Sequence, residues 1–278
     1  MKQQLIDFVK QIRWKNVVIY LLLQLLLYHV FYNLNMSFTN GWLFLVLSMT
    51  FFGMFGNLQN NLLDYEPDSL KPDFKHFNKT TYLIWAIVFL ILGFIFGFTA
   101  FYQTFSPTLL YAVLNVPFLL SFYNYILKKW VLAGNLTIAF LTTFAIYIPI
   151  AYTKGLQFER TEFYFLLSMA FLLNLMRELV KDMEDMQYDK LHGYYTLPII
   201  NFKASLTLLI GLELAFFYIL FIYKNQLNNY IFYTLLTTGF LSFILSLKCL
   251  IQKNYTDLSR LIKLMMLIGY LSVIFLTD

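Results

Sequence analysis

The chain has 278 residues, of which 60% are hydrophobic and only 13% charged, with 31 Phe and 21 Tyr. So large an apolar share excludes an ordinary water-soluble fold, and the lone Cys249 excludes an intrachain disulfide framework or a cysteine-based metal centre. The net charge of +5 follows from loop lysines and arginines and requires no nucleic-acid partner. Near the start, Leu5, Phe8, Val9 and Ile12 recur at helical spacing and predict a short amphipathic helix in the membrane interface. The apolar run that follows is too long for a signal-peptide core and lacks small residues at a cleavage site before Asn33, so it is expected to stay as a first span. Apolar runs then recur at about 41–63, 81–102, 107–126, 131–152, 161–180, 204–223, 228–247 and 260–276, after the first at about 17–35. Each approaches the roughly 20 residues needed to cross a bilayer as a helix. The sequence therefore predicts an all-α polytopic membrane protein, a single domain over 1–278 with about nine transmembrane helices.

Placing the N-terminus in the cytoplasm leaves only Lys154, Arg160 and Lys224, among 20 basic residues, on the far side. That bias predicts N-terminus in and C-terminus out. The longest interhelical segments, about 64–80 and 181–203, then face the cytoplasm, and they are also the acidic ones. Asp64, Glu66, Asp68 and Asp73 belong to the first, and Glu178, Asp182, Glu184, Asp185 and Asp189 to the second or its edge.

Carboxylates at helix C-termini beside an anionic membrane surface are unfavourable unless a cation compensates them. Asp182, Asp185 and Asp189 stand at i, i+3 and i+7, sharing one helix face with Glu178 a turn earlier. An oxygen-only array suits Mg²⁺, which takes few protein ligands and completes its shell with water and substrate phosphate oxygens. Asn57, Asn60 or Asn61, and Asp64 form a similar column, and Pro67 is expected to end that helix, leaving Asp68 on a turn. The plainer reading makes these acids solvated loop carboxylates or ion-pair partners of Arg177, Lys181 and Lys71. Two such clusters on one side of the membrane favour a functional site.

At this point the sequence resembles a known family. Arg177-Glu-Leu-Val-Lys-Asp-Met-Glu-Asp-Met-Gln-Tyr-Asp189, followed by Gly193 and Thr196-Leu-Pro198, is similar to the second signature of the UbiA superfamily of intramembrane prenyltransferases. Asn60-Asn-Leu-Leu-Asp-Tyr-Glu-Pro-Asp68 with Lys71-Pro72 resembles its first signature. Here Asn61 stands where the family usually has Asp, one residue is missing before Lys71, and Lys75 is the nearest base to the family's absent Arg. Arg13-Trp-Lys-Asn16 and the stretch from Tyr123 to Lys129, with Gly134-Asn135, resemble two further family patterns.

The resemblance implies a UbiA-like helical bundle around a central cavity and Mg²⁺-dependent transfer of a polyprenyl group from its diphosphate to a lipophilic, membrane-resident acceptor. That acceptor is an aromatic quinone precursor or a glycerol-phosphate lipid. It implies metal ligands at Asp64, Asp68, Asp182, Asp185 and Asp189, the first four also catalytic. Substrate contacts are expected from Asn16, Asn60, Asn61, Lys71, Tyr123, Lys128, Arg177 and Lys181. The partners are then prenyl diphosphate, the acceptor and membrane lipid, with no obligate protein partner. The expected location is the cytoplasmic membrane of a prokaryote, active site facing the cytoplasm. Competing readings are a cation-coupled transporter and a diverged homologue that binds prenyl diphosphate without turnover. Glu213, isolated within an apolar run, has no assigned role, and Gln24 is expected to make a plain interhelical hydrogen bond.

Overall fold

The computed structural model describes residues 2–32, 40–69, 78–154, 161–191, 193–252 and 254–271, and all regular structure among them is helical. In chain order the helices are α1 (Lys2–Gln11), α2 (Trp14–Tyr32), α3 (Asn40–Leu63), α4 (Tyr65–Asp68), α5 (Lys79–Thr104), α6 (Pro107–Tyr125) and α7 (Ala133–Lys154). They continue with α8 (Thr161–Leu191), α9 (Leu197–Ile200), α10 (Phe202–Ile222), α11 (Asn229–Gln252) and α12 (Tyr255–Leu271). Among the described residues, seven helices are long and apolar enough to cross a membrane: α3, α5, α6, α7, α8, α10 and α11. The first and last apolar runs of the sequence correspond to α2 and α12, of 19 and 17 residues.

The chain divides into two compact units, residues 1–127 with 145–158 and residues 128–144 with 159–278, so that α7 contributes its two ends to different units. In the first unit, α3 packs closely on α5. A Cβ at Gly93 would lie 2.5 Å from the Phe52 ring, and one at Gly97 would lie 2.7 Å from Val113 of α6. Only glycine allows this approach, and it lets the Ser48 hydroxyl of α3 donate to the Gly93 carbonyl at 2.8 Å. The outward face of α5 carries Ile84, Ile87, Ile91 and Ile95, all exposed, as a helix facing lipid requires.

The amphipathic α1 turns into α2 at Arg13, whose φ of 55° is the left-handed conformation that ends a helix. Its apolar face docks on protein: Phe8 lies 5.0 Å from Trp85 and 6.5 Å from Phe89 of α5, and Phe8 and Ile12 pack on the cluster around Leu58 and Tyr82.

Two prolines shape this unit. Pro149 inside α7 has no N–H for the carbonyl of Ala145, and α2 replaces it: the Tyr20 hydroxyl donates at 3.0 Å and Gln24 Nε2 at 3.3 Å. Gln24 thus makes the interhelical bond expected of it. Pro67 acts differently. A proline there has no N–H for the carbonyl of Leu63 four residues earlier, and α3 ends at Leu63. The sequence predicts a break at Pro67 itself, but Pro67 sits within α4, in the first helical turn, where its missing N–H is tolerated.

In the second unit α8 packs against α10 and α12, and the core includes Phe165, Met176, Leu179, Phe216 and Ile262. Glu213 of α10 is buried and accepts from two serines of α11, Ser242 at 3.1 Å and Ser246 at 2.5 Å. The intramembrane carboxylate is therefore a polar clamp between neighbouring helices. At 31 residues α8 is about 46 Å long, well beyond the roughly 30 Å hydrocarbon core, so its charged end from Lys181 to Leu191 projects toward the membrane surface.

Candidate functional site

At the end of α3 the chain makes its last helical hydrogen bond from the Asp64 amide to the Asn60 carbonyl, at 2.9 Å. Asp64 then turns out of the helix with its side chain buried, and Asn60 Nδ2 donates to Asp64 Oδ2 at 3.0 Å. Asn60 therefore orients the carboxylate from one turn earlier. The same end of α3 is braced by α6, where buried Asn124 donates to Gln59 Oε1 at 2.8 Å and to the Gly56 carbonyl at 3.1 Å. Gln59 in turn donates to Ser121 at 3.2 Å. Tyr123, next to this brace, is buried, whereas Tyr125 is exposed.

Asn61 has another use. Its amide donates to Gln11 Oε1 at 2.9 Å and to the Gln11 carbonyl at 3.3 Å, tying α3 to the last residue of α1. Asn16 lies exposed in the first turn of α2. Beyond Asp64, Glu66 pairs with Lys79, whose ammonium also sits 4.8 Å from the Tyr65 ring. Asp68 ends α4, its side chain outside the described set, and Lys71 and Lys75 lie wholly outside the described residues.

In the second unit the acidic face of α8 is built as its spacing predicts, with Asp182, Asp185 and Asp189 all partly buried. Asp182 Oδ2 accepts from Asn135 Nδ2 at 2.8 Å, and Asn135 is itself buried in the first turn of α7. Asn135, which in the sequence belongs only to a family-like pattern with no role attached, holds Asp182. Glu178 is the neutralised member of the face: Arg177 Nη1 lies 2.6 Å from Glu178 Oε1 and Lys181 Nζ lies 3.7 Å from Glu178 Oε2. Arg177 and Lys181 are thereby aimed along the acidic face.

After α8 the chain turns at Gly193, φ 69°, and the Tyr194 amide donates to the Asp189 carbonyl at 3.0 Å. Lys128 Nζ lies 5.5 Å from the centre of the Tyr194 ring, and the Tyr195 amide donates to the Lys129 carbonyl at 3.2 Å. These contacts bring the Lys128-Lys129 turn to the polar end of α8. Lys128, Arg177, Lys181, Asp182, Asp185 and Asp189 are thus gathered in one unit.

Among the described residues no three His, Cys, Asp or Glu side chains form a ready-made metal cage. The α8 face does fit a hard divalent ion shared with a phosphate ligand. Its donors are all carboxylate oxygens, and Mg²⁺ needs only one or two of them besides phosphate and water.

Comparison with known sequences matches residues 21–268 to the UbiA prenyltransferase family, a stretch running through both units. The chain belongs to that family. A digeranylgeranylglyceryl phosphate synthase from Methanobrevibacter smithii is 28% identical over 242 residues, covering 82% of this chain and 84% of its own length. Other archaeal proteins of the same name, such as that from Methanothermobacter thermautotrophicus, align over about half of their own length. Among solved structures, one described for digeranylgeranylglyceryl phosphate synthase in membranes superimposes with a TM-score of 0.70 at 23% identity, covering 98% of both chains. A UbiA homologue from Archaeoglobus fulgidus bound to DMAPP and Mg²⁺ gives a TM-score of 0.64 at 14% identity, covering 96% of this chain and 98% of that one. The all-helical fold of this UbiA-family protein is the fold of those homologues.

Proposed function

We propose that this protein transfers a geranylgeranyl group from its diphosphate to a hydroxyl of a glycerol-phosphate lipid. The observation that carries the reading is the carboxylate face of α8, steadied by Asn135 and flanked by Lys128, Arg177 and Lys181, in a chain whose family match spans 21–268. Of the two acceptor classes open to the family resemblance, the names of the relatives favour the glycerol-phosphate lipid. Family membership also favours transfer chemistry over cation transport.

In the reaction the bond between the allylic carbon and the diphosphate oxygen breaks, the acceptor oxygen bonds that carbon and loses its proton, and diphosphate departs. A bound Mg²⁺ supplies charge stabilisation for the departing diphosphate. Asp182, Asp185 and Asp189 would hold it, and Asp64 and Asp68 are assigned the same role from the first signature. Asn135 and Asn60 fix the carboxylates of Asp182 and Asp64. Lys128, Lys71 and the Arg177–Lys181 pair supply fixed positive charge for phosphate oxygens. The projecting end of α8 is assigned to the cytoplasmic side, within a nine-span topology with the N-terminus inside.

Incubation of the purified protein in nanodiscs with labelled geranylgeranyl diphosphate, Mg²⁺ and a panel of acceptors tests the proposal. Product is expected with geranylgeranylglyceryl phosphate, none in EDTA, and a loss of activity in Asp182→Asn and in Asp64→Asn. Product that persists in EDTA, or in both variants, would remove the metal assignment. Product with an aromatic acid alone would overturn the acceptor class.

A further inference from the structure

Asp64 stands at the head of a line of residues that runs back along α3. Asn60 donates to its carboxylate from one turn earlier, Asn57 follows at two turns and Gly53 at three, within about 20° of Asp64 around the helix axis. Asn57 and Asn60 are partly buried, whereas Gly53 is exposed, and a Cβ built on it would meet nothing within 4 Å. Beyond Gly53 the line closes, for Met49, Thr50 and Val46 are all buried. The side chains of α3 thus leave an opening that starts at a carboxylate and ends at Met49 and Val46.

This opening is not a lipid-facing surface. Where α5 faces lipid, large side chains fill its surface at Ile84, Ile87, Ile91 and Ile95, and asparagines at one and two turns from Gly53 would be costly in hydrocarbon. A mid-helix glycine also weakens a helix, and neither a close backbone approach nor a left-handed φ calls for one at this position. The dimensions point to a ligand. A rise of about 1.5 Å per residue puts Gly53 about 16 Å from Asp64, and Met49 about 22 Å. A three-bond peptide repeat extends about 3.6 Å, so a four-bond isoprene repeat extends about 5 Å. Three isoprene units from the diphosphate end therefore come level with Gly53, and a fourth passes it and stops short of Met49. The same steps back from Asp182 on α8 meet Leu175, which is buried, and Phe171, which is partly buried, so side chains fill that line.

We propose that this face of α3 is the wall against which the prenyl chain lies, and that Gly53 is a specificity-determining residue that admits the fourth isoprene unit; this rests on the function proposed above. A diphosphate held at Asp64 sends its chain past Asn60 and Asn57, and any side chain at position 53 would stand in the path of the last unit. Gly53 belongs to neither signature, and a glycine inside an apolar run carries no mark of such a use in the sequence.

The test measures kcat/KM of wild type, Gly53→Ala and Gly53→Leu in nanodiscs, with diphosphates of two, three and four isoprene units and geranylgeranylglyceryl phosphate as acceptor. Thermal unfolding midpoints check folding. In Gly53→Leu the four-unit substrate should lose about tenfold or more relative to the two-unit one, as overpacking implies, while half-saturating Mg²⁺ stays within about twofold. Gly53→Ala should shift the same ratio less, and it decides alone if Gly53→Leu does not fold. Gly211→Leu adds the same bulk at an open position of α10 and should leave the ratio unchanged. An unchanged ratio in folded Gly53→Leu overturns the proposal, and so does an equal shift in Gly211→Leu. If wild type forms no product, the function proposed above fails, and Mg²⁺-dependent binding of the labelled diphosphates decides the chain site alone. A loss of about tenfold for the four-unit against the two-unit diphosphate in Gly53→Leu then supports it, and an unchanged ratio or no binding overturns it.

Discussion

Removing the side chain of Asn135 is the sharpest single probe of the α8 face. In Asn135→Ala the Asp182 carboxylate loses a 2.8 Å bond from a donor that is only 8% exposed. Water has little access to replace it. A hydrogen bond to a charged group contributes about 1.5–3 kcal/mol. At about 1.4 kcal/mol per tenfold, that corresponds to roughly a 10–100-fold weakening of whatever depends on the placement of Asp182. Loss of a residue that orients a metal ligand typically weakens metal binding by about the same range. The expected phenotype is specific: half-saturating Mg²⁺ for prenyl transfer rises by about tenfold or more, and added Mg²⁺ recovers much of the lost rate. The assay is initial rate against free Mg²⁺ at saturating prenyl diphosphate, with the unfolding midpoint measured in parallel. A folded variant with an unchanged Mg²⁺ half-saturation, or a loss that no Mg²⁺ concentration restores, would refute the view that Asn135 acts by holding a metal ligand.

Two further substitutions separate packing from chemistry. Gly97→Val should lower the thermal unfolding midpoint, because its first carbon alone would fall 2.7 Å from Val113 and 2.9 Å from the Ser48 hydroxyl, and overpacking of this kind costs about 1–3 kcal/mol. Gly211→Ala, with nothing within 4 Å of the new Cβ, should leave the midpoint unchanged or raise it slightly; equal losses at both sites would show that the close α3–α5 approach is not limiting. Asn61→Asp restores the residue usual in the family's first signature, yet it should lower stability and bring no gain in activity. The carboxylate has no proton to offer the Gln11 carbonyl, now 3.3 Å from the Asn61 amide, and a rise in Mg²⁺-dependent activity would show that Asn61 instead belongs to the metal site.

The apolar runs made most of the fold legible, since a span is a local property of about 20 residues. The acidic row of α8 was legible for a similar reason: helical periodicity alone puts Asp182, Asp185 and Asp189 on one face. What the sequence concealed were partners supplied by other helices. Asn135 reaches Asp182 from 47 residues away, and Thr256 reaches Glu184 of the same helix from another one. Nothing in the local sequence around either residue encodes that meeting. The amphipathic pattern of α1 was read correctly as a helix with one apolar face. Its partner was not visible, because Phe8 packs on Trp85 and Phe89 of a distant span. Glu213 looked anomalous only because Ser242 and Ser246 lie one helix further along.

The two prolines of the first unit show how a partner decides what a local rule means. Each frees the carbonyl four residues before it and threatens the helix there. At Ala145 the freed carbonyl is met by Tyr20 and Gln24 of α2, and α7 runs on from Ala133 to Lys154. Donors from a second helix are what a lipid environment demands, since no water is available in the hydrocarbon to satisfy that carbonyl. At Leu63, which is partly exposed, α3 stops and the chain turns at Asp64. The break places Asp64 at the very end of the helix, with Asn60 holding its carboxylate and Asn124 bracing the preceding turn through Gln59. Pro67 therefore acts on the first signature by fixing where the helix ends, and hence where its leading carboxylate stands.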